Sequence, residues 1–350
     1  QNTVYILQYD KSIYCIKTNI KPVESSLIHF DKNNGFMFVT QKKLYEYELF
    51  TGKLKRVRKF DYNFLGKSFD LSKDNKLILL AEQYFIRIID FYSLKLIKTF
   101  KVNSTNGCIR NLYISRIPLA KFNPDNTIIV YATQDTIDSR GKDNNLERYR
   151  YIIVKNLKSN SDKMIFKSPE LDYFEYSPNG KYILTAEILG NASIHDVING
   201  NVVKKLQISP NSSGENLKFC PNSKDIIGMS HDSIKVWNIG TKGQINYISN
   251  NGDFKTISPN GKLIAVVKDG DIQIISRNNN QILKTILIPG HNSFFPYINS
   301  FFTYSQKNPI LEIYFTPDSN SILTVECSRV YCNGDGDVKI RLWDIKDIKL

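Results

Sequence analysis

The 350 residues carry 47 Lys+Arg against 34 Asp+Glu, a formal net charge of +13, with 41% hydrophobic and 12% aromatic residues. That apolar share excludes a disordered chain, and no run of 18 or more apolar residues occurs, which excludes a membrane-spanning helix. Five scattered cysteines (Cys15, Cys108, Cys220, Cys327, Cys332) exclude a disulfide framework and point to free thiols in a reducing, cytoplasmic compartment. The stretch Gln1 to Asp10 has no basic region leading into an apolar one, so no signal peptide is expected, and a start at Gln rather than Met reads as a trimmed or longer protein.

In chain order, the segment 3–18 reads as two short strand-like pieces, and then a repeat begins. Its marker is an apolar residue, a small or polar one, Pro or Lys, Asn or Asp, then Gly, Ser or Asn. Copies start at Phe30, Leu71, Phe122, Tyr176, Phe219, Ile257 and Phe315; five of them contain a proline, at Pro124, Pro178, Pro221, Pro259 and Pro317. Counted at the Pro position, the seven copies fall at 32, 73, 124, 178, 221, 259 and 317. Pro presets φ for a turn and Asn-Gly tolerates positive φ, so each marker predicts a tight hairpin. After each marker come a β-branched run such as Leu263–Val267, an alternating strand such as Ser233–Asn238, a polar turn and one more strand such as Asn201–Leu206. Four-stranded antiparallel units repeating at this interval predict an all-β, seven-bladed β-propeller. The last unit stops after its third strand, so residues 3–18 are expected to complete the blade formed by 311–350 and close the ring, making 1–350 a single domain.

These residues resemble the WD-repeat family over nearly the whole chain. The resemblance is carried by Trp343-Asp344, by Trp237-Asn238, by the decayed pairs Ile89-Asp90 and His195-Asp196, and by the seven hairpins. The chain departs from the family pattern in keeping one Trp-Asp pair and one Gly-His pair, Gly290-His291. The family's inter-blade His, Asp, Ser and Trp network is therefore expected to be mostly lost, with Asp232 and Asp337 as remnants. The Asn-, Lys- and Ile-rich composition further resembles WD propellers that follow a BTB/POZ domain in proteins of large DNA viruses, which implies a ubiquitin-ligase substrate adaptor acting in the host cytoplasm.

The resemblance implies that connections from the outer strand to the next blade, and those between second and third strands, share one face. The long segments 101–118, 134–148, 288–310 and 326–336 are all of those two kinds. One group is basic (Arg110, Arg116, Arg140, Arg148 and Arg150) and another aromatic (Phe294, Phe295, Tyr297, Phe301, Phe302 and Tyr304). Aromatics this dense either pack on themselves or form a contact patch, and long loops on a rigid scaffold are where binding resides. The expected function is a protein-interaction scaffold or adaptor, the alternative a basic propeller binding nucleic acid or acidic phospholipid (phosphoinositide) head groups. Lysines outnumber arginines by roughly three to one, which tempers the phosphate reading because Arg is the better phosphate reader. The basic run Lys53–Lys59 reads as a charged edge strand that discourages aggregation, or as a polyanion site. His29, His195, His231 and His291 lie in different units with no partner at ligand spacing. No enzyme, metal or cofactor is expected, and His195 reads as a packing residue standing in for Trp.

Overall fold

The computed structural model describes residues 14–18, 29–30, 35–39, 43–60, 68–82, 84–102, 120–138, 146–168, 171–187, 190–208, 217–230, 233–241, 244–249, 252–288, 310–327 and 338–348. Among them are seven four-stranded antiparallel sheets and no helix; six keep their strands in chain order, and the seventh sets the first strand of the chain beside the last. No helix of the described residues is long and apolar enough to cross a membrane.

The blades follow the chain. Blade 1 is β2 (His29–Phe30), β3 (Gly35–Val39), β4 (Lys43–Glu48) and β5 (Leu54–Lys59). Blade 2 is β6 (Ser68–Leu71), β7 (Leu77–Ala81), β8 (Phe85–Asp90) and β9 (Leu96–Lys101). Blade 3 is β10 (Ala120–Phe122), β11 (Ile128–Asp138), β12 (Leu146–Asn156) and β13 (Asp162–Ser168). Blade 4 is β14 (Leu171–Tyr176), β15 (Tyr182–Glu187), β16 (Asn191–Asp196) and β17 (Val202–Gln207). Blade 5 is β18 (Leu217–Phe219), β19 (Asp225–Ser230), β20 (Ser233–Asn238) and β21 (Gln244–Ser249). Blade 6 is β22 (Asp253–Ile257), β23 (Leu263–Lys268), β24 (Asp271–Ser276) and β25 (Ile282–Ile286). Blade 7 is β26 (Ile310–Phe315), β27 (Ser321–Cys327) and β28 (Val338–Asp344), with β1 (Tyr14–Thr18) as its outer strand. The pairing of β1 with β28 runs from Tyr14 opposite Leu342 to Thr18 opposite Val338, so the N-terminal segment closes the ring as expected.

Second strands are packed by neighbouring blades on both faces, which is why β7 and β23 read as continuous apolar runs rather than alternating ones. Outer strands such as β5 and β9 are almost wholly exposed. The core is accordingly divided among the blade junctions. Phe69, Ile78 and Leu80 of blade 2 meet Met37 and Leu44 of blade 1, and Leu323 and Leu342 of blade 7 meet Phe36 and Tyr47 of blade 1 across the closure.

The repeat marker folds as a self-bonded turn. The Ser177 and Ser258 hydroxyls donate to Asn179 and Asn260 Oδ1 (2.8 and 2.7 Å). The same hydroxyls accept the Tyr182 and Leu263 amides (3.0 and 2.9 Å). The turn's last position is left-handed in each described copy: Asn75, Asn126, Gly180, Ser223, Gly261 and Ser319 have φ of 59, 61, 71, 57, 72 and 62°. Consecutive turns also touch. A Cβ on Gly180 would lie 2.7 Å from Pro124 Cδ of the preceding blade. Where Ser replaces Gly, its Oγ accepts an amide of that blade: Asn179 N–H to Ser223 (3.0 Å) and Asn260 N–H to Ser319 (3.3 Å).

The Asp of the Trp-Asp pair is a turn cap. Asp90, Asp196 and Asp344 accept the amides of Ser93 (2.7 Å), Ile198 (2.9 Å) and Lys346 (2.9 Å), and Asn238 does the same for Gly240 (2.9 Å). The local bond keeps the Asp or Asn while the preceding ring drifts to Ile89 or His195. Part of the ring network survives as well, within blades. Trp343 Nε1 donates to Thr324 Oγ1, and His195 Nε2 meets Thr185 Oγ1, both at 3.1 Å. His195 is buried, with Phe166 edge-on to its ring at 5.1 Å. Blade 5, with Trp237 opposite Ile226, has Gly228 at the position where those blades have Thr. Asp232 and Asp337 lie outside the described residues.

Candidate functional site: the insertion-bearing face and the channel

In a meandering four-stranded blade, inner-to-second and third-to-outer turns share one end. Second-to-third turns and blade-to-blade connections share the other. The described strands that flank the four long segments therefore end on one face, and within blade 3 the structure corrects what stands there. Residues 134–148 were expected as a loop. Instead, β11 and β12 run on as an eleven-residue pair, with Gln134 opposite Arg150 and Asp138 opposite Leu146. Outer strand β13 stops pairing at Arg150, opposite Ser168, and inner strand β10 at Ala120, opposite Tyr131. The extension is thus a two-stranded ribbon standing beyond the blade with both edges unpaired by the described strands, a geometry suited to main-chain recognition.

Phe294, Phe295, Tyr297, Phe301, Phe302, Tyr304, Arg110, Arg116 and Arg140 lie outside the described residues. Arg148 is in the ribbon, opposite Thr136. Arg150 stands at its base, where its Nη1 donates to the Leu171 carbonyl at the start of blade 4. That guanidinium spans a blade junction.

The residue just before each hairpin marker is the position the sequence reading overlooked. These residues are His29, Asp70, Lys121, Glu175, Lys218, Thr256 and Tyr314, one on each innermost strand, and all but Thr256 are ionisable. Asp70 Oδ2 accepts the Phe122 amide (2.8 Å) and Glu175 Oε2 the Phe219 amide (3.2 Å), so each carboxylate bonds the inner strand of the next blade. Lys218 Nζ donates to Tyr173 Oη (2.7 Å). Burial pulls the Lys218 ammonium down, but Tyr173, Glu175 and Glu312 more than offset it and hold it above the ordinary lysine value. His29 Nδ1 is 4.0 Å from Asp70 Oδ1. Burial keeps this imidazole below its usual value against the pull of Asp70, and Lys121 pushes the same way as burial. Charges alternate from Asp70 through Lys121 and Glu175 to Lys218, so the channel wall neutralises itself. The signal was legible: a charged residue directly ahead of an apolar turn-opener repeats blade after blade. Among the described residues no group of three His, Cys, Asp or Glu could hold a metal ion. Cys220 is fully buried and its thiol is pushed up to about 12 by that burial, which leaves it a poor nucleophile.

Six of the cations cross blade junctions on the turn face. A cation of the outer strand in blades 1, 2, 3, 4 and 6 reaches main-chain carbonyls in the next blade's third-to-outer turn. Arg58 bonds the Phe91 and Tyr92 carbonyls, Lys98 that of Leu157 (3.2 Å), and Lys163 that of Ile198 (2.7 Å). Lys204 bonds those of Asn238 and Thr241, and Lys284 that of Asp344 (2.9 Å). Between blades 5 and 6 the direction reverses: Arg277 Nη2 donates to Asp225 Oδ2 (2.7 Å). Burial raises the Asp225 carboxyl, but the bonds from Asn222, Asn238 and Arg277 outweigh it and hold the group below its usual value. In the basic run Lys53–Lys59, Arg56 and Arg58 both bond buried Glu46 (2.8 and 2.6 Å). These cations hold blades together.

No family model matches the chain, and no curated protein matches it. Among solved structures it is similar to the β-propeller domain of Cps50 (Swd1) from Myceliophteria thermophila, with a TM-score of 0.60 at 10% identity, covering 98% of this chain and 100% of that one. At that identity the likeness is one of fold.

Proposed function

We propose that the chain is a non-catalytic protein-interaction scaffold whose partner docks on the insertion-bearing face. The observation that carries this reading is the β11–β12 ribbon, which continues past the inner and outer strands of its blade on that face, its main-chain edges unpaired by the described strands. The likeness to a WD-type propeller supports it. In the adaptor form of the proposal, a captured protein is presented to a ubiquitin ligase through a BTB/POZ unit. The phosphate-binding alternative loses ground where Arg58, Lys98, Lys163, Lys204, Arg277 and Lys284 are occupied by carbonyls and carboxylates.

The test is quantitative affinity capture with the intact chain and two variants. In one, residues 292–306 become a short Gly/Ser linker; in the other, 135–149 become an Asn-Gly turn. A protein partner lost with either replacement, while the melting curve is kept, is the expected result, and a ligase component recovered alongside it would extend the reading to the adaptor. Nucleic acid recovered equally by all three chains, and released by moderate salt, would overturn it.

A further inference from the structure

The face opposite the insertions carries an asymmetry of its own. Third-to-outer turns place one residue at the same tip position in every blade, two after the capping residue. The tips are Phe50, Tyr92, Lys158 and Ile198 in blades 1 to 4, and Gly240, Asn278 and Lys346 in blades 5 to 7. All seven are exposed, and the apolar ones are confined to the first arc: Tyr92 is 64% and Ile198 82% exposed. In the same arc Leu54, Leu96 and Val202, each the first residue of its outer strand, are also exposed, as is Ile282 at the same place in blade 6.

Three features identify what such a surface fits. The tips are held rigidly, because the junction-crossing cations bond the carbonyls of Tyr92, of Leu157 next to Lys158, and of Ile198 itself. Presenting them to a partner therefore costs little ordering entropy. They are single exposed side chains at equivalent turn positions of neighbouring blades, which suits a flat, yielding, apolar-accepting surface better than a folded protein. Exposed lysines accompany them, Lys53 and Lys95 beside the first two tips and Lys158 as a tip, while the turn carboxylates Asp90 and Asp196 are bonded to their own turns. Apolar side chains alternating with lysine on one face are the composition of an interfacial membrane contact.

We infer that this arc, the turn face of blades 1 to 4, docks on an anionic lipid bilayer, inserting Tyr92 and Ile198 at the headgroup boundary and leaving the insertion-bearing face turned to solvent.

The experiment is co-sedimentation of the full chain with vesicles of phosphatidylcholine alone and of phosphatidylcholine with about 30% phosphatidylserine, at salt from about 0.15 to about 0.5 M. Binding to the anionic vesicles only, weakened by salt, is expected. The double variant Tyr92→Ser, Ile198→Ser should bind about tenfold more weakly with an unchanged melting curve, and Tyr84→Ser on the opposite face should bind like the parent. Equal binding by the double variant, or no binding to anionic vesicles, overturns the inference. Loss in the double variant of a captured acidic protein, without vesicle binding by the parent, overturns it in favour of a protein contact. Neither result bears on the ribbon or the 292–306 segment, so the scaffold reading stands or falls separately.

Discussion

Blade 7 keeps the Trp-Asp pair and blade 4 has His-Asp in its place, yet both keep the same bond. Trp343 reaches Thr324 at 3.1 Å and His195 reaches Thr185 at 3.1 Å. In these two blades the position is filled by a flat, buried ring with a nitrogen aimed at the second strand. The blades part at the next residues. In blade 7, Thr324 also donates to Glu326 (2.9 Å), which is paired with Arg341, and both charged residues are buried. In blade 4 the position opposite Thr185 is Ser193, whose carbonyl accepts from that threonine (3.3 Å). Blade 7, completed by a strand from the other end of the chain, is thus tied by a buried ion pair; blade 4, with its own outer strand, is tied by neutral bonds.

The sharpest way to break this comparison is Arg341→Ala. It strands Glu326 in the core and should cost about 3–5 kcal/mol, against at most about 0.5 kcal/mol for the matching Ser193→Ala. Denaturant titration measures both, and equal costs would mean the ion pair adds nothing to closure.

The hairpins differ in the same spirit. Gly180 of blade 4 sits at φ 71° with Pro124 in the way of any Cβ, whereas blade 7 carries Ser319 at φ 62° as an acceptor. Gly180→Ala should therefore cost about 2–4 kcal/mol, and Ser319→Ala about 1 kcal/mol, in the same titration.

The smallest effect is acid sensitivity. Burial holds the His195 pKa below its unfolded value, with the Gly200 backbone pulling weakly the other way. Its contribution is complete above about pH 6.5 and is lost as pH falls below that, by at most about 1.4 kcal/mol per pH unit until the folded pKa is reached. Trp343 has no such term. Melts at pH 7.5 and pH 5 should show a shallower loss for His195→Gln than for the parent; parallel losses would assign the acid sensitivity to His29 and the rest of the chain.

Fold and closure were legible because local chemistry repeats. The Ser-Pro-Asn-Gly turns bond within themselves, Asp90 and Asp196 cap their turns whatever ring precedes them, and the unfinished last unit required a strand from elsewhere. The ribbon was not legible. Residues 134–148 are mostly polar and charged, and the sequence there shows no apolar alternation to announce a strand. The junction cations were equally hidden, since Lys98 or Lys204 gains its meaning only from a neighbouring blade's backbone. For the channel the sequence held the signal, a titratable residue ahead of the turn-openers of blades 1 to 5, but a charged residue in a three-residue strand reads as ordinary surface until the inner strands are brought together. The aromatic segment 294–304 lies outside the described residues, and its part in partner binding rests on the capture experiment.

Five of the junction cations bond main-chain carbonyls, and that choice has an evolutionary consequence. A carbonyl is supplied by every amino acid, so the receiving turn can exchange Tyr92 for Leu157, Ile198, Asn238 or Asp344 from blade to blade without losing its acceptor. Only the donor must stay a cation, and lysine and arginine serve alike. A ring joined in this way tolerates almost unlimited divergence of its turn sequences, which is how seven units with one intact Trp-Asp pair among them can remain a single architecture.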